Sequence, residues 1–187
     1  MNEEINIISA KNYSSDSNSF SLNIYNESFV KYLKGNISKL VKDKVRSKIL
    51  QKLVSKFSQD IINLVFEEVF PNLLNEIKND YSNYFFQKFF KTLNKGQAIR
   101  LVKLFEKVGM FELSKLPEGV YLIVSLLSRQ LSSEEQDLIF KSFKPYLLMM
   151  LTEDLSYKIL IKIILKYPED YFSEVYQVIL SNFTYYA

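Results

Sequence analysis

One apolar signature recurs four times along the chain at a nearly constant spacing of about 37 residues. Each copy has apolar residues at offsets 0, 1, 4 and 5, which places all four side chains on one face of a helix. The copies begin at Ile49, Phe85, Leu122 and Ile159, with steps of 36, 37 and 37 residues. A fixed period of this length is typical of a solenoid, whose repeats bury their apolar faces by stacking on one another.

A second helix is predicted after each signature, because pairs of apolar residues recur there at a constant step of 37 residues. These pairs are Leu64–Val65, Leu101–Val102, Leu138–Ile139 and Val175–Tyr176. Helix-start signals keep the same period at Ser58, Lys95, Ser132 and Pro168. Ser132 also stands three residues before Glu135, which is the spacing of a capping box.

A shorter third helix is predicted before the signatures. Pro71 and Pro145 begin similar apolar segments 74 residues apart, and Asp80 and Asp154 end them at the same separation. The sequence therefore predicts an all-α chain of three-helix units. The predicted repeats span approximately residues 27–70, 71–108, 109–144 and 145–183, after a Ser- and Asn-rich flexible tail over residues 1–26.

The residue types that most enzymes use are missing. The chain contains no Cys and no His, so the commonest general base, the thiol nucleophile and the usual zinc ligands are absent. Its 4 glycines are isolated, which excludes a glycine-rich phosphate loop. We therefore expect no enzymatic activity, no cofactor and no metal site. No apolar run approaches the ~18 residues that a membrane span requires, so no membrane contact is expected.

Positive charge is concentrated near the start of the predicted repeats. Residues 31–56 contain nine basic residues and one acidic residue, Asp43, whereas basic and acidic residues balance from Lys95 to the end. A local positive field of this kind suits a polyanionic partner. A compositional bias toward Lys, Asn and Ile would produce the same pattern without any such partner.

The residues around the first two signatures resemble the middle helix of Pumilio (PUF) repeats, a family of RNA-binding proteins. Residues 82–88, SNYFFQK, are similar to the family pattern of a small residue, Asn, Tyr, two apolar residues and Gln. Residues 46–52, RSKILQK, are similar to its Ser-Arg-x-x-Gln version. The resemblance covers residues from about 28 to 183 and implies a right-handed α-solenoid of Pumilio/armadillo-like repeats.

The resemblance also implies which side chains contact RNA on the concave face. In the second repeat, Asn83 and Gln87 would read the edge of a uracil while Tyr84 stacks on its ring. Their spacing of four residues places the two amides on one helix face, and both amides carry donors and acceptors. Proteins of this family bind one base per repeat, so each repeat of this chain would take one nucleotide.

The other repeats match this pattern less well. In the first repeat, Ser47 and Gln51 would read adenine, with Lys48 at the stacking position, although Lys has no flat face. Lys44, Arg46 and Lys52 would contact phosphates. In the last two repeats, Tyr121 and Tyr157 could still stack, the latter out of frame. The edge positions there are held by residues without base-reading groups, namely Val120, Val124 and Ile161.

The sequence thus favours single-stranded RNA binding, with a 5′-UA-3′ element as the implied target and a role in post-transcriptional regulation or RNA maturation. The alternative is a helical-repeat scaffold that binds a protein partner or a ribonucleoprotein particle without reading bases. A cytoplasmic location is expected, with a nucleolar or ribosome-associated one as the alternative.

Overall fold

The computed structural model describes residues 27–183, and this part of the chain consists of helices joined by short turns, without a β-strand. The all-α prediction is confirmed. The predicted flexible tail over residues 1–26 lies outside the described residues. None of the described helices has the length and apolar character needed to cross a membrane.

The helices follow one another at the predicted period. In chain order they are α1 (Glu27–Leu33), α2 (Ile37–Lys42), α3 (Lys44–Leu53), α4 (Gln59–Val69), α5 (Leu73–Glu76), α6 (Asp80–Phe89), α7 (Lys95–Val108), α8 (Met110–Ser114), α9 (Pro117–Leu127), α10 (Ser133–Phe143), α11 (Leu147–Thr152), α12 (Tyr157–Lys166) and α13 (Glu169–Phe183). The divisions predicted between repeats stay a prediction; two of them fall in 3₁₀ turns, Phe70–Asn72 and Lys144–Tyr146, and one falls at Gly109.

Each repeat contributes a short, a middle and a long helix, and in the first repeat α1 precedes these three. The middle helices α3, α6, α9 and α12 contact one another in sequence along the stack. These contacts are more extensive than those between successive long helices such as α7 and α10. Closer packing on one side of a stack bends it toward that side, so the middle helices line the inner surface.

Capping residues fix where the middle helices begin. Asn79 caps α6, because its side-chain oxygen accepts hydrogen bonds from the backbone N–H groups of Tyr81 (3.1 Å) and Ser82 (3.2 Å). Asp80 therefore begins the middle helix, and the prediction that it ends the short helix is wrong. Asp43 caps α3 in the same way. The middle helices start at Lys44, Asp80, Pro117 and Tyr157, at steps of 36, 37 and 40 residues.

The long helices begin with side-chain caps as well. Ser58 caps α4, and Ser132 forms the predicted capping box with Glu135 at the start of α10. At α7 the cap is Asn94, which forms a capping box with Gln97. The helix begins at the predicted Lys95, and its cap therefore stands one residue before the period set by Ser58 and Ser132. Each such cap is worth about 1 kcal/mol, and together they keep the helices in register.

The apolar signatures form the core. In α6, Phe85, Phe86 and Phe89 are fully buried, and their rings pack in stacked and edge-to-face arrangements at centroid distances of 5.4–6.5 Å.

The short helix α8 lies close against the middle helix α9. A Cβ atom on Gly119 would stand 2.0 Å from the carbonyl oxygen of Leu113, so α8 can lie against α9 only where the side chain is a single hydrogen.

Candidate nucleic-acid interface

Ser47 lies at the junction between the first and second repeats. It is 0% exposed, its hydroxyl donates to the carbonyl oxygen of Tyr81 (2.7 Å), and it accepts a hydrogen bond from Nε2 of Gln51 (3.1 Å). Tyr81 belongs to the next repeat, so this hydroxyl joins the two repeats. The prediction that Ser47 reads adenine does not fit this geometry, because the side chain has no open surface.

Asn83 occupies the same position one repeat later and makes the same connections. Its Nδ2 donates to the carbonyl oxygen of Glu118 (3.0 Å), which is the counterpart of Tyr81, and also to that of Ile77 (3.0 Å). Its Oδ1 accepts from Nε2 of Gln87 (2.8 Å). Asn83 is only 5% exposed. Ser47 and Asn83 therefore act as inter-repeat clamps, each of which also holds a glutamine.

Because of this arrangement, the two predicted edge-reading residues, Asn83 and Gln87, differ in the hydrogen-bonding groups that they have left for a base. Both amide hydrogens of Asn83 are used by backbone carbonyls, so it has no donor left for a base. Gln87 is half-buried and uses one amide hydrogen on Asn83. Its Oε1 and second amide hydrogen have no partner among the described residues. Gln87 is thus the side chain of this repeat that can meet a base edge, and Asn83 orients it.

An open groove lies beside Gln87 between two tyrosines. Tyr84 and Tyr121 hold equivalent positions on α6 and α9, and they are 58% and 43% exposed. The groove has a volume of about 290 Å³ and is lined by Asp80, Asn83, Tyr84, Gln87, Pro117, Glu118 and Tyr121. Two flat rings with an amide between them are suited to a planar ligand that offers hydrogen-bonding edges.

Lysines stand at both ends of this tyrosine pair. In the fourth repeat the equivalent residue is Lys158, whose Nζ lies 5.1 Å from the centroid of the Tyr121 ring and donates to its hydroxyl (3.3 Å). A cation over a ring face is held there by the ring quadrupole. In the first repeat the equivalent is the exposed Lys48. We refer to Lys48, Tyr84, Tyr121 and Lys158 as the stacking row.

Tyr157 lies outside the stacking row. It is the first residue of α12 and aligns with Ser47 and Asn83, the clamps, so its ring belongs to the face that meets a following repeat. The prediction that it stacks on a base is therefore not supported. Lys158 was not among the candidate site residues predicted from the sequence. Its position directly before the fourth signature, where Tyr84 and Tyr121 stand in the second and third repeats, could have indicated it. In the third repeat Val120 is 0% exposed and packs in the core.

The positive charge of the first repeat is accessible. Lys44, Lys48 and Lys52 follow one another at intervals of four residues on α3, which places them on one helix face, and all three are exposed. Arg46 is half-buried. Among the described residues, Lys42 is the only one of the nine basic residues between positions 31 and 56 that has an ion pair, and its Nζ lies 3.0 Å from Oε1 of Glu76.

The groove of the second repeat carries the opposite sign. Asp80 and Glu118 both line it, and neither has an ion pair among residues 27–183. The groove therefore contains two carboxylates, whereas α3 presents three lysines on one helix face. A polyanion would be attracted mainly to the first repeat.

Solved structures similar to this chain are Pumilio-type RNA-binding domains. The Puf4 RNA-binding domain bound to the HO endonuclease RNA 3′ UTR recognition sequence matches with a TM-score of 0.67 and 21% identity, over 75% of this chain and 43% of that chain. The Puf3 domain bound to Cox17 RNA site A matches with a TM-score of 0.73 and 14% identity, over 85% and 46%. PUF-8 in complex with PBE-RNA gives 0.68 and 16%, over 79% and 43%.

These likenesses show that the chain has the Pumilio-repeat fold, an α-solenoid of stacked three-helix repeats. The chain spans less than half the length of each of these solved chains. No protein-family model and no curated protein sequence matches it.

Proposed function

We propose that this protein binds single-stranded RNA along its inner surface, with one base held between Tyr84 and Tyr121. The observation that carries the proposal is the open groove between these rings, with Oε1 and the second amide hydrogen of Gln87 at its side. The RNA bound by the Puf3, Puf4 and PUF-8 domains of the same fold supports it.

Stacking and backbone attraction would supply most of the affinity. Stacking on an aromatic side chain is worth about 1–3 kcal/mol per base and does not depend on which base is bound. The exposed cations of α3 would neutralise phosphates of the same strand, a contribution that is also independent of sequence. The base in the groove would meet Gln87 alone, whose Oε1 and remaining N–H match the N3–H and one carbonyl of uracil.

A weak preference for uracil at one position follows, and the adenine reading assigned to Ser47 is dropped. The 5′-UA-3′ element therefore reduces to its uracil. The role that this binding suits is post-transcriptional regulation or RNA maturation, in which a short contact of modest specificity works together with other factors.

Fluorescence anisotropy with short labelled RNAs tests the proposal. The four RNAs carry A, C, G or U at one central nucleotide, contain no other uracil, and are measured at one salt concentration. Tyr84→Ala should weaken binding of all four RNAs by roughly tenfold, in line with the loss of about one stacking contact. The matched control is Tyr146→Ala, since Tyr146 is exposed, stacks on Phe111 and lies away from the groove.

Equal loss of affinity in both tyrosine variants would show that the groove holds no base. Absence of any single-strand binding by the full chain would favour the scaffold alternative, in which the inner surface takes a protein. The apolar residues of the last two repeats, including the exposed Ile161, suit that alternative.

A further inference from the structure

The outer face of the Tyr121 ring, which is the face turned away from Tyr84, is covered by a lysine. Helix α9 packs between α6 and α12, so Tyr121 has Tyr84 on one side of the stacking row and Lys158 on the other. The Nζ of Lys158 lies 5.1 Å from the centroid of the Tyr121 ring and donates to its hydroxyl oxygen (3.3 Å). Lys158 does not line the groove between the two tyrosines. It therefore leaves the groove open and covers the opposite face of the ring.

The outer face of Tyr84 has no such cover. Lys48 is the neighbour of Tyr84 in the stacking row on the side of the first repeat. Among the described residues, however, no lysine or arginine lies over the Tyr84 ring. The exposure of the two tyrosines differs accordingly, at 58% for Tyr84 and 43% for Tyr121. The stacking row is thus open beyond Tyr84 and closed beyond Tyr121.

We propose that Lys158 closes the RNA site at the end formed by the fourth repeat. The base between Tyr84 and Tyr121 is then the last base that the stacking row holds in that direction. This inference deepens the proposed function and rests on it, because it requires a base in the groove. It gives Lys158 a role in setting how many bases are stacked, whereas Gln87 sets which base is preferred.

A further base could stack on the outer face of Tyr121 only by displacing the ammonium group of Lys158. Displacing a cation from an exposed ring should cost about two- to fivefold in affinity. A base that stacks on one ring face, without a second flat side chain, gains at the low end of aromatic stacking, about fivefold. The two effects nearly cancel, so this base should raise the affinity of the wild-type protein by less than about threefold.

The edge positions of the third repeat would not compensate for this cost. Val120 is fully buried and Val124 is half-buried, and neither side chain carries a hydrogen-bonding group. A base on the outer face of Tyr121 would therefore gain from stacking alone. If Lys158 is removed, the gain should be similar for all four bases.

Fluorescence anisotropy with the full chain tests the proposal by counting stacked bases. The labelled strands have constant length and are abasic except for none, one, two or three consecutive central uracils. All strands carry the same phosphates, so differences in affinity between them report the added bases and not the charge. Counting also makes the result independent of the direction in which the strand lies along the stacking row.

In the wild-type protein, the first uracil should occupy the groove and the second should gain about fivefold on the open face of Tyr84. The third uracil should gain less than about threefold. In Lys158→Ala the third uracil should gain about fivefold, because the outer face of Tyr121 is then free. In Lys158→Tyr it should gain about tenfold or more, because a second ring then encloses the base.

Two controls separate the loss of a positive charge from the opening of the ring face. Lys141→Ala removes an exposed lysine from the long helix α10 and should leave the contribution of the third uracil as in the wild type. Tyr121→Ala combined with Lys158→Ala should abolish the gain that Lys158→Ala alone produces, because the ring that the third base requires is gone.

The proposal is overturned if the third uracil strengthens wild-type binding as much as the second does. It is also overturned if neither Lys158→Ala nor Lys158→Tyr increases the contribution of the third uracil. In both cases the proposed function stands as long as the first uracil strengthens binding over the fully abasic strand. If the first uracil adds nothing, the groove holds no base, and the proposed function and this inference fail together.

Discussion

Replacing Asn83 by Ala should destabilise the whole stack, although this position looks like a surface base-reading residue in sequence. The Asn83 amide donates to the carbonyl oxygens of Ile77 and Glu118, and thus ties α6 both to the turn before it and to the start of α9. Alanine leaves both carbonyls without that donor, that of Ile77 in a buried contact and that of Glu118 in a part-buried one.

The expected cost follows from those two contacts. A buried polar group that loses its partner costs about 1–3 kcal/mol. Because the Glu118 contact is only part-buried, the two carbonyls together give roughly 2–4 kcal/mol for Asn83→Ala, toward the lower end of that range. Asn83→Ser should cost about half as much, ~1–2 kcal/mol, because the Ser47 hydroxyl shows that a serine can span the same junction and only the Ile77 contact is lost.

Urea unfolding followed by circular dichroism measures this order. With a slope of about 2 kcal/mol per molar, Asn83→Ala should lower the midpoint by roughly 1–2 M. Asn75→Ala is the matched control, since Asn75 is exposed on α5. The clamp assignment fails if Asn83→Ala unfolds within about 0.3 M of the control, or if Ser is no better than Ala.

Three further outcomes are expected. Four phosphate contacts from α3 would give a slope of about −2.8 when the logarithm of RNA affinity is plotted against the logarithm of salt concentration, which is a ~50-fold loss of affinity from 50 to 200 mM salt. Lys44→Gln with Lys52→Gln should reduce this loss to about sevenfold. The control pair Lys103→Gln and Lys107→Gln on α7 should leave the loss unchanged. Gly119→Ala should destabilise by about 1–3 kcal/mol in urea, because its Cβ would overlap Leu113, whereas Gly96→Ala, whose Cβ meets only Asn94 Oδ1 at 3.5 Å, should not. Asn83→Ser with Gln87→Glu should shift the preference from uracil toward guanine by about tenfold, as measured by anisotropy. The new carboxylate at position 87 can accept from both the N1–H and the N2 amine of guanine, and serine removes the Asn83 Oδ1 acceptor that would repel this carboxylate. An unchanged preference would show that Gln87 contacts no base.

The period and the helices were predictable because they depend on local spacing. Apolar offsets of 0, 1, 4 and 5 fix one helix face whatever the neighbours are, and Ser132 with Glu135 formed its capping box as predicted. The prediction that Asp80 ends the short helix was wrong, because Asn79 caps α6 and Asp80 is its first residue. Both residues can cap a helix, and the backbone angles that decide between them cannot be seen in the sequence.

The site was less predictable because its geometry depends on contacts across a repeat. The pattern correctly places Asn83 and Gln87 on one helix face. The burial of Asn83, however, depends on its contact with the carbonyl of Glu118, 35 residues away. Nothing in the sequence of one repeat shows that the next repeat covers Ser47 and Asn83. The contact of Lys158 with Tyr121 across 37 residues was hidden for the same reason.

The stacking row limits how many bases the proposed RNA complex could stack. Within the described repeats two flat side chains follow each other in this row only once, at Tyr84 and Tyr121, which line one groove. Beyond Tyr121 the next member is Lys158, which already lies over the ring, and before Tyr84 it is Lys48, which offers charge without a stacking plane. In the proposed RNA complex, the lysines of α3 would hold the strand by its phosphates, and the two tyrosines would fix one nucleotide. An RNA contact built in this way gains most of its strength from the backbone, so its sequence preference is confined to the base beside Gln87.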